Sequence, residues 1–111
     1  MRIDVLTIFP EMFPPILEES ILQRAQEAGI VTIGVHDLRQ FTTDRHHTTD
    51  DAPFGGGAGM VMKPGPFARA LATLRCAPET GCAEEVILMS PAGERFDQAK
   101  ARELSARDHL I

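Results

Sequence analysis

The sequence predicts an α/β fold, a parallel sheet flanked by helices, and three observations lead there. Two β-branched runs, residues 2–9 and 30–36, are separated by an apolar stripe at helical spacing. A third run, residues 85–90 (Glu-Val-Ile-Leu-Met-Ser), is nearly continuous in apolar side chains, as in a strand covered on both faces. Helical segments alternate with these runs, the order that builds a parallel sheet. At 111 residues the chain fits one domain.

In chain order, residues 2–9 (Arg-Ile-Asp-Val-Leu-Thr-Ile-Phe) form a first strand that stops at Pro10. From about Pro14, the residues Ile16, Leu17, Ile21, Leu22 and Ala25 mark a helix that ends at Gly29. Residues 30–36 make a second strand, with His36 read as a packed histidine. The stretch from Asp37 to Asp51 has no period and is expected to be a long loop, of the size that is usually functional. After Pro64-Gly65-Pro66, a second helix carries Phe67, Ala68, Leu71 and Leu74 on one face and ends near Cys76. The run over 85–90 closes in a tight turn, Ser90-Pro91-Ala92-Gly93. A third helix is predicted from Asp97, its cap, to Arg107, with Ala101 and Leu104 inward. A fourth strand then begins at His109-Leu110-Ile111, so the chain reads as part of a longer fold.

Composition narrows the function. The formal net charge of −5 argues against a generic nucleic-acid binder, which needs a basic face. Arg39, Arg45, His46 and His47 still concentrate cationic and titratable groups, interleaved with Asp44, Asp50 and Asp51. No apolar run is long enough to cross a bilayer, and Asp4 and Glu11 interrupt the start where a secretory signal would be apolar, so a cytoplasmic protein is expected. Cys76 and Cys82 match neither a redox motif nor a zinc knuckle; two reduced thiols are expected, with a local disulfide as the alternative.

Residues 50–67 carry the strongest motif. Gly55, Gly56, Gly57 and Gly59 lie among Pro53, Phe54, Met60, Val61 and Met62, which gives a shaped loop with groups to bury rather than a flexible linker. Both phosphate-loop templates fail. Gly59 is followed by Met60 and Lys63 by Pro64, against the Walker pattern, and Gly57 and Gly59 lead to Met62, against the dinucleotide pattern. Asp44, His46, His47, Asp50 and Asp51 have metal-ligand residue types without a recognised spacing, so a solvated loop is preferred and no metal ligand is assigned. The corner at Ser90 to Gly93 follows a strand of a parallel sheet, where open α/β folds bind ligands; its plain reading is a strand-to-helix turn.

Three segments together resemble one family: Ile-Phe-Pro-Glu-Met-Phe at 8–13, Asp-Asp-Ala-Pro-Phe-Gly-Gly-Gly-Ala-Gly-Met-Val-Met at 50–62, and Met-Ser-Pro-Ala-Gly at 89–93. The chain is similar, over its whole length, to the bacterial tRNA (guanine-N1) methyltransferases that modify guanosine 37. The resemblance implies the N-terminal part of a trefoil-knotted methyltransferase domain of the SPOUT class, truncated before the knot. It further implies an obligate homodimer, S-adenosylmethionine as donor and tRNA as acceptor. Leu88, Met89, Ser90, Pro91, Ala92 and Gly93 would contact the adenosine part of the donor. Asp50, Pro53, Phe54, Gly55, Gly56, Gly57, Gly59 and Met60 would lie beside the active site and dimer interface, with Asp50 positioning substrate.

Backbone groups at a strand end can read an adenine edge, so Ala92 is tolerated where the family often has glutamine. Phe54 stands for a common tyrosine and Ala58 for a common proline. The family's catalytic aspartate, knot-forming segment and C-terminal tRNA-binding domain would all follow Ile111. No catalytic residue is therefore assigned here, and residues 1–111 alone are expected to be inactive. An assisting Mg2+ is implied by the family, with no ligands identified. The alternative reading is a non-catalytic dimerisation or RNA-binding module, followed by a generic nucleotide-binding α/β domain.

Overall fold

A computed structural model describes all residues, Met1–Ile111. Four parallel strands form the main sheet, in spatial order β2 (Thr32–Asp37), β1 (Arg2–Thr7), β6 (His109–Leu110) and β5 (Glu84–Glu85). Strand β1 (Arg2–Thr7) is central, pairing with β2 (Thr32–Asp37) from Arg2↔Thr32 to Thr7↔Asp37. On its other side lies β6 (His109–Leu110), with Arg2 opposite His109, and β5 (Glu84–Glu85) closes that edge with Glu84 opposite His109. The predicted α/β architecture is thus observed.

Parallel neighbours need crossovers, and helices supply them. Between β1 and β2 the single predicted helix is two: α1 (Pro14–Leu17) and α2 (Ser20–Glu27). The break comes at Glu19, which is extended, and Ser20, whose φ is +52°. Gly29 ends α2 as expected, its N–H donating to Gln26 O at 2.9 Å while Ile30 N–H reaches Ala25 O at 2.9 Å.

Helix α3 (Pro64–Leu74) starts on its prolines as predicted, and buries Pro66, Ala70 and Leu74; Ala68, predicted inward, is exposed. Helix α4 (Gln98–Leu104) joins β5 to β6 and is shorter than the 97–107 expected. Asp97 caps it, accepting from Ala99 N and Lys100 N at 2.9 Å each.

Two further expectations are corrected. The run over 85–90 is not a covered strand: β5 ends at Glu85, and Val86, Ile87, Leu88 and Met89 are exposed. The ladder continues only through Ile111 N–H to Glu85 O (3.0 Å) and Ile87 N–H to Ile111 O (2.8 Å), so nothing pairs with the residues beyond. Cys76 and Cys82, expected as free thiols, are bonded to one another with Cα atoms 6.3 Å apart. A 3₁₀ turn at Pro78–Thr80 and the left-handed Gly81 fold the intervening segment back on itself, a closure that composition does not reveal.

Candidate functional site

The polypeptide leaves the sheet at Glu85 and runs past the carboxyl end of β5 as an open backbone. The N–H groups of Leu88, Met89 and Ser90 make no hydrogen bond within the chain. The turn beyond is fixed by Gly93 N–H to Ser90 O (3.1 Å) and Ala92 N–H to Ser90 Oγ (3.2 Å). A cavity of about 290 Å³ opens here, lined by Leu88, Met89, Ser90 and Gly93 of the predicted donor loop. Pro91 and Ala92 lie outside it.

Sequence reasoning missed Phe96, Lys100 and Leu104, which α4 and its approach bring to the same cavity. Lys100 is held by Glu94 (3.0 Å) and Glu103 (3.0 Å). Hydrogen bonds to Glu103 and then Glu94 keep its ammonium above the usual lysine range. The mostly apolar lining with unpaired backbone groups fits a planar base and ribose, which need edge hydrogen bonds and flat contacts.

The glycine segment is a hairpin. Strand β3 (Asp50–Asp51) pairs antiparallel with β4 (Val61–Met62), with Asp50 opposite Met62. Asp51 Oδ2 and Lys63 Nζ lie 3.8 Å apart, and Lys63 N–H donates to Thr49 O at 2.8 Å. Gly55, Gly56, Gly57 and Gly59 have φ of +84°, +80°, +127° and +93°, so each adopts a conformation costly for any other residue. The tip presents Phe54 and Met60 to solvent. Pro53 is half-buried and Asp50 is half-buried within β3.

The loop between β2 and β3 is built by its own side chains. Asp37 accepts from Arg39 N–H (2.9 Å), and Thr42 Oγ1 donates to Arg39 O (2.7 Å). Asp44 accepts from Thr48 Oγ1 (2.8 Å) and Thr48 N–H (3.1 Å), and these bonds hold its carboxyl below the usual range. Arg69 of α3 reaches back to Phe41 O at 2.5 Å. A second cavity of about 370 Å³ lies between this loop and the start of α3, lined by Thr43, Asp44, Thr48, Lys63, Gly65, Pro66 and Arg69. One carboxylate already engaged by Thr48, facing two cations, is a donor set that does not fit Mg2+.

A buried polar network lies across the sheet. Asp4 of β1 takes Arg2 Nε (2.6 Å) and His109 Nε2 (2.7 Å) on one oxygen and His36 Nε2 (2.6 Å) on the other. Burial raises the Asp4 carboxyl, but the bonds from His36, His109 and Arg2 outweigh it and hold it below the ordinary range. His109 Nδ1 lies 3.0 Å from Glu84 Oε2, and Glu84 also takes Cys76 N–H (2.7 Å) and Arg75 Nε (2.8 Å). Burial again raises this carboxyl and the three partners lower it further than burial lifts it.

The family profile described as tRNA (Guanine-1)-methyltransferase TrmD matches residues 1–111, the whole chain. The chain belongs to this family. Curated relatives named tRNA (guanine-N(1)-)-methyltransferase agree: that of Chloroflexus aggregans is 55% identical over 111 residues, covering 100% of this chain and 43% of its own length. The Arthrobacter relative is 52% identical over 113 residues, with 100% and 41% covered. That of Dictyoglomus turgidum is 51% identical over 111 residues, with 100% and 43% covered. This tRNA (guanine-1)-methyltransferase family chain thus spans less than half the length of these relatives. No helix in it is long and apolar enough to cross a membrane.

Proposed function

We propose that residues 1–111 form part of the donor-binding domain of a tRNA (guanosine-37-N1) methyltransferase that uses S-adenosylmethionine. The observation that carries this reading is the corner Leu88–Gly93: unpaired backbone N–H groups beside an apolar cavity at the carboxyl end of a parallel strand. S-Adenosylmethionine, when bound, supplies an electrophilic methyl group on a sulfonium.

The chain's own contribution is binding and exclusion of water. Leu88, Met89 and Ser90 offer edge hydrogen bonds to an adenine, and Leu88, Met89 and Phe96 offer flat apolar surface. The glycine hairpin, with Asp50 at its base and Phe54 and Met60 at its tip, closes over the target base. Methyl transfer to N1 of guanine also needs in-line alignment and a base for the N1 proton. We assign that base, the knot-forming segment and most tRNA backbone contacts to sequence outside these 111 residues, and read the protein as a cytoplasmic homodimer. The exposed Ile16, Ile21, Phe54, Met60 and Val61 support a covered surface of that kind.

The test is transfer of a labelled methyl group by the full-length protein to tRNA with guanosine or adenosine at position 37. Label recovered as 1-methylguanosine at position 37, and absent from the adenosine tRNA, is expected. Label at another position, or none with a folded protein, contradicts the assignment.

A further inference from the structure

At the opposite, amino-terminal end of the sheet, Cys76, Cys82 and His109 converge, with one ligand atom of each within 4.8 Å of the others. Glu84 joins them, its Oε2 3.0 Å from His109 Nδ1. Local structure explains the convergence. Cys76 leaves the end of α3, the turn through Gly81 returns Cys82 beside it, and Glu84 and His109 are register partners at the starts of β5 and β6.

We propose that, with the two thiols reduced, Cys76, Cys82, His109 and Glu84 bind a thiophilic divalent cation of the zinc class in a tetrahedral site. Three features of the geometry support it. Cys76 Sγ and His109 Nδ1 are 3.5 Å apart, and a tetrahedral zinc with bonds of about 2.3 Å to sulfur and 2.0 Å to nitrogen sets that edge at roughly 3.5 Å.

The outer support is in place as well. Asp4 holds His109 Nε2 at 2.7 Å, so a proton on Nε2 leaves the Nδ1 lone pair facing the sulfurs. The third feature is the fourth ligand. Glu84 Oε2 lies 3.0 Å from His109 Nδ1, close to the roughly 3.3 Å edge between oxygen and nitrogen ligands of a tetrahedral zinc.

In the structure the two sulfurs are bonded to one another. A dithiol reductant transfers two electrons to that bond and is itself oxidised to a disulfide, which leaves two thiols here. Metal binding then displaces one proton from each thiol to solvent. The sulfurs must separate to roughly 3.8 Å to occupy two tetrahedral corners. The connecting residues Ala77, Pro78, Glu79, Thr80 and Gly81 form an exposed turn, so that separation displaces no buried side chain of theirs. Lying at the end of the sheet away from Leu88–Gly93, the site is structural: it ties the end of α3 to the edge formed by β5 and β6.

Co2+ is the probe. The full-length protein is reduced with a dithiol, desalted without oxygen and titrated with Co2+, alongside the Cys76→Ser/Cys82→Ser double variant. The expected result is thiolate-to-cobalt charge-transfer absorption with tetrahedral ligand-field bands, saturating at about one equivalent per chain. Zn2+ should displace them, and the double variant should lack them. Both cysteines are only half-buried, so the double variant is expected to fold, and circular dichroism checks it; Cys82→Ser alone, which also removes a ligand, serves if the double variant does not. Absence of tetrahedral bands in the reduced protein, or bands unchanged in the folded variant, overturns the proposal.

Discussion

Asp4 accepts from side chains of residues 2, 36 and 109, which only the fold brings together. Removing one member of such a buried ionic cluster leaves the others without a counter-charge, so Asp4→Ala should destabilise the full-length protein by about 3–5 kcal/mol in urea unfolding. The sign with pH follows from the lowered folded pKa. The Asp4 contribution is complete above the ordinary carboxyl value of 3.8, and is lost as pH falls through the lower folded value. Wild-type stability should therefore fall more steeply with acid than that of the variant. Gly34 makes the close approach possible: a Cβ there would lie 2.6 Å from Asp4 Oδ1 and 2.9 Å from His36 Nε2. Gly34→Ala should cost about 1–3 kcal/mol by the same measurement. Composition offers little sign of this network, because a single aspartate in a strand does not announce partners 32 and 105 residues away.

Local chemistry marked the helix ends, and β-branched runs marked β1 and β2, but the sequence did not show where pairing stops along the edge strand. The prolines opening α3, the glycine ending α2 and the Asp97 cap of α4 are short-range signals, and all three are where the sequence places them. Asp97→Ala should destabilise the protein by about 1 kcal/mol in thermal or urea unfolding, since it removes acceptance from two N–H groups of the first turn. The apolar run after Glu85 misled because hydrophobicity reports a wish for burial, not its partner. Only Glu84 and Glu85 find a register on β6. The disulfide, only the alternative in the sequence reading, was under-weighted for a related reason: its closure depends on a 3₁₀ turn and one left-handed glycine.

At the scale of the whole molecule, the parallel sheet separates two regions. The carboxyl end of β5 carries the donor-site candidate, the amino ends of β5 and β6 carry Glu84, His109 and the cysteines, and the buried network spans the sheet through Asp4 and His36. Few side chains are fully buried, and Leu88, Met89, Ile21, Phe54 and Phe96 stand at 68% exposure or more, which leaves substantial apolar surface for a second chain or further sequence to cover. The hairpin tip is part of that surface. In the proposed homodimer the exposed Phe54 ring would be covered, so Phe54→Asp should shift the full-length protein toward monomer in sedimentation velocity by placing a charge there. A dimer unchanged by this substitution would place the interface elsewhere.

The proposed donor site rests on the motif at 89–93, while the cavity's far wall, Phe96, Lys100 and Leu104, depends on the path of α4, which the sequence alone does not give. The most direct test of that site is residue-resolved amide hydrogen exchange of the full-length protein with and without S-adenosylmethionine. The N–H groups of Leu88, Met89 and Ser90, unpaired in this structure, should exchange more slowly when the donor is present. Donor-dependent protection confined to other segments, with these three unchanged, would contradict the account.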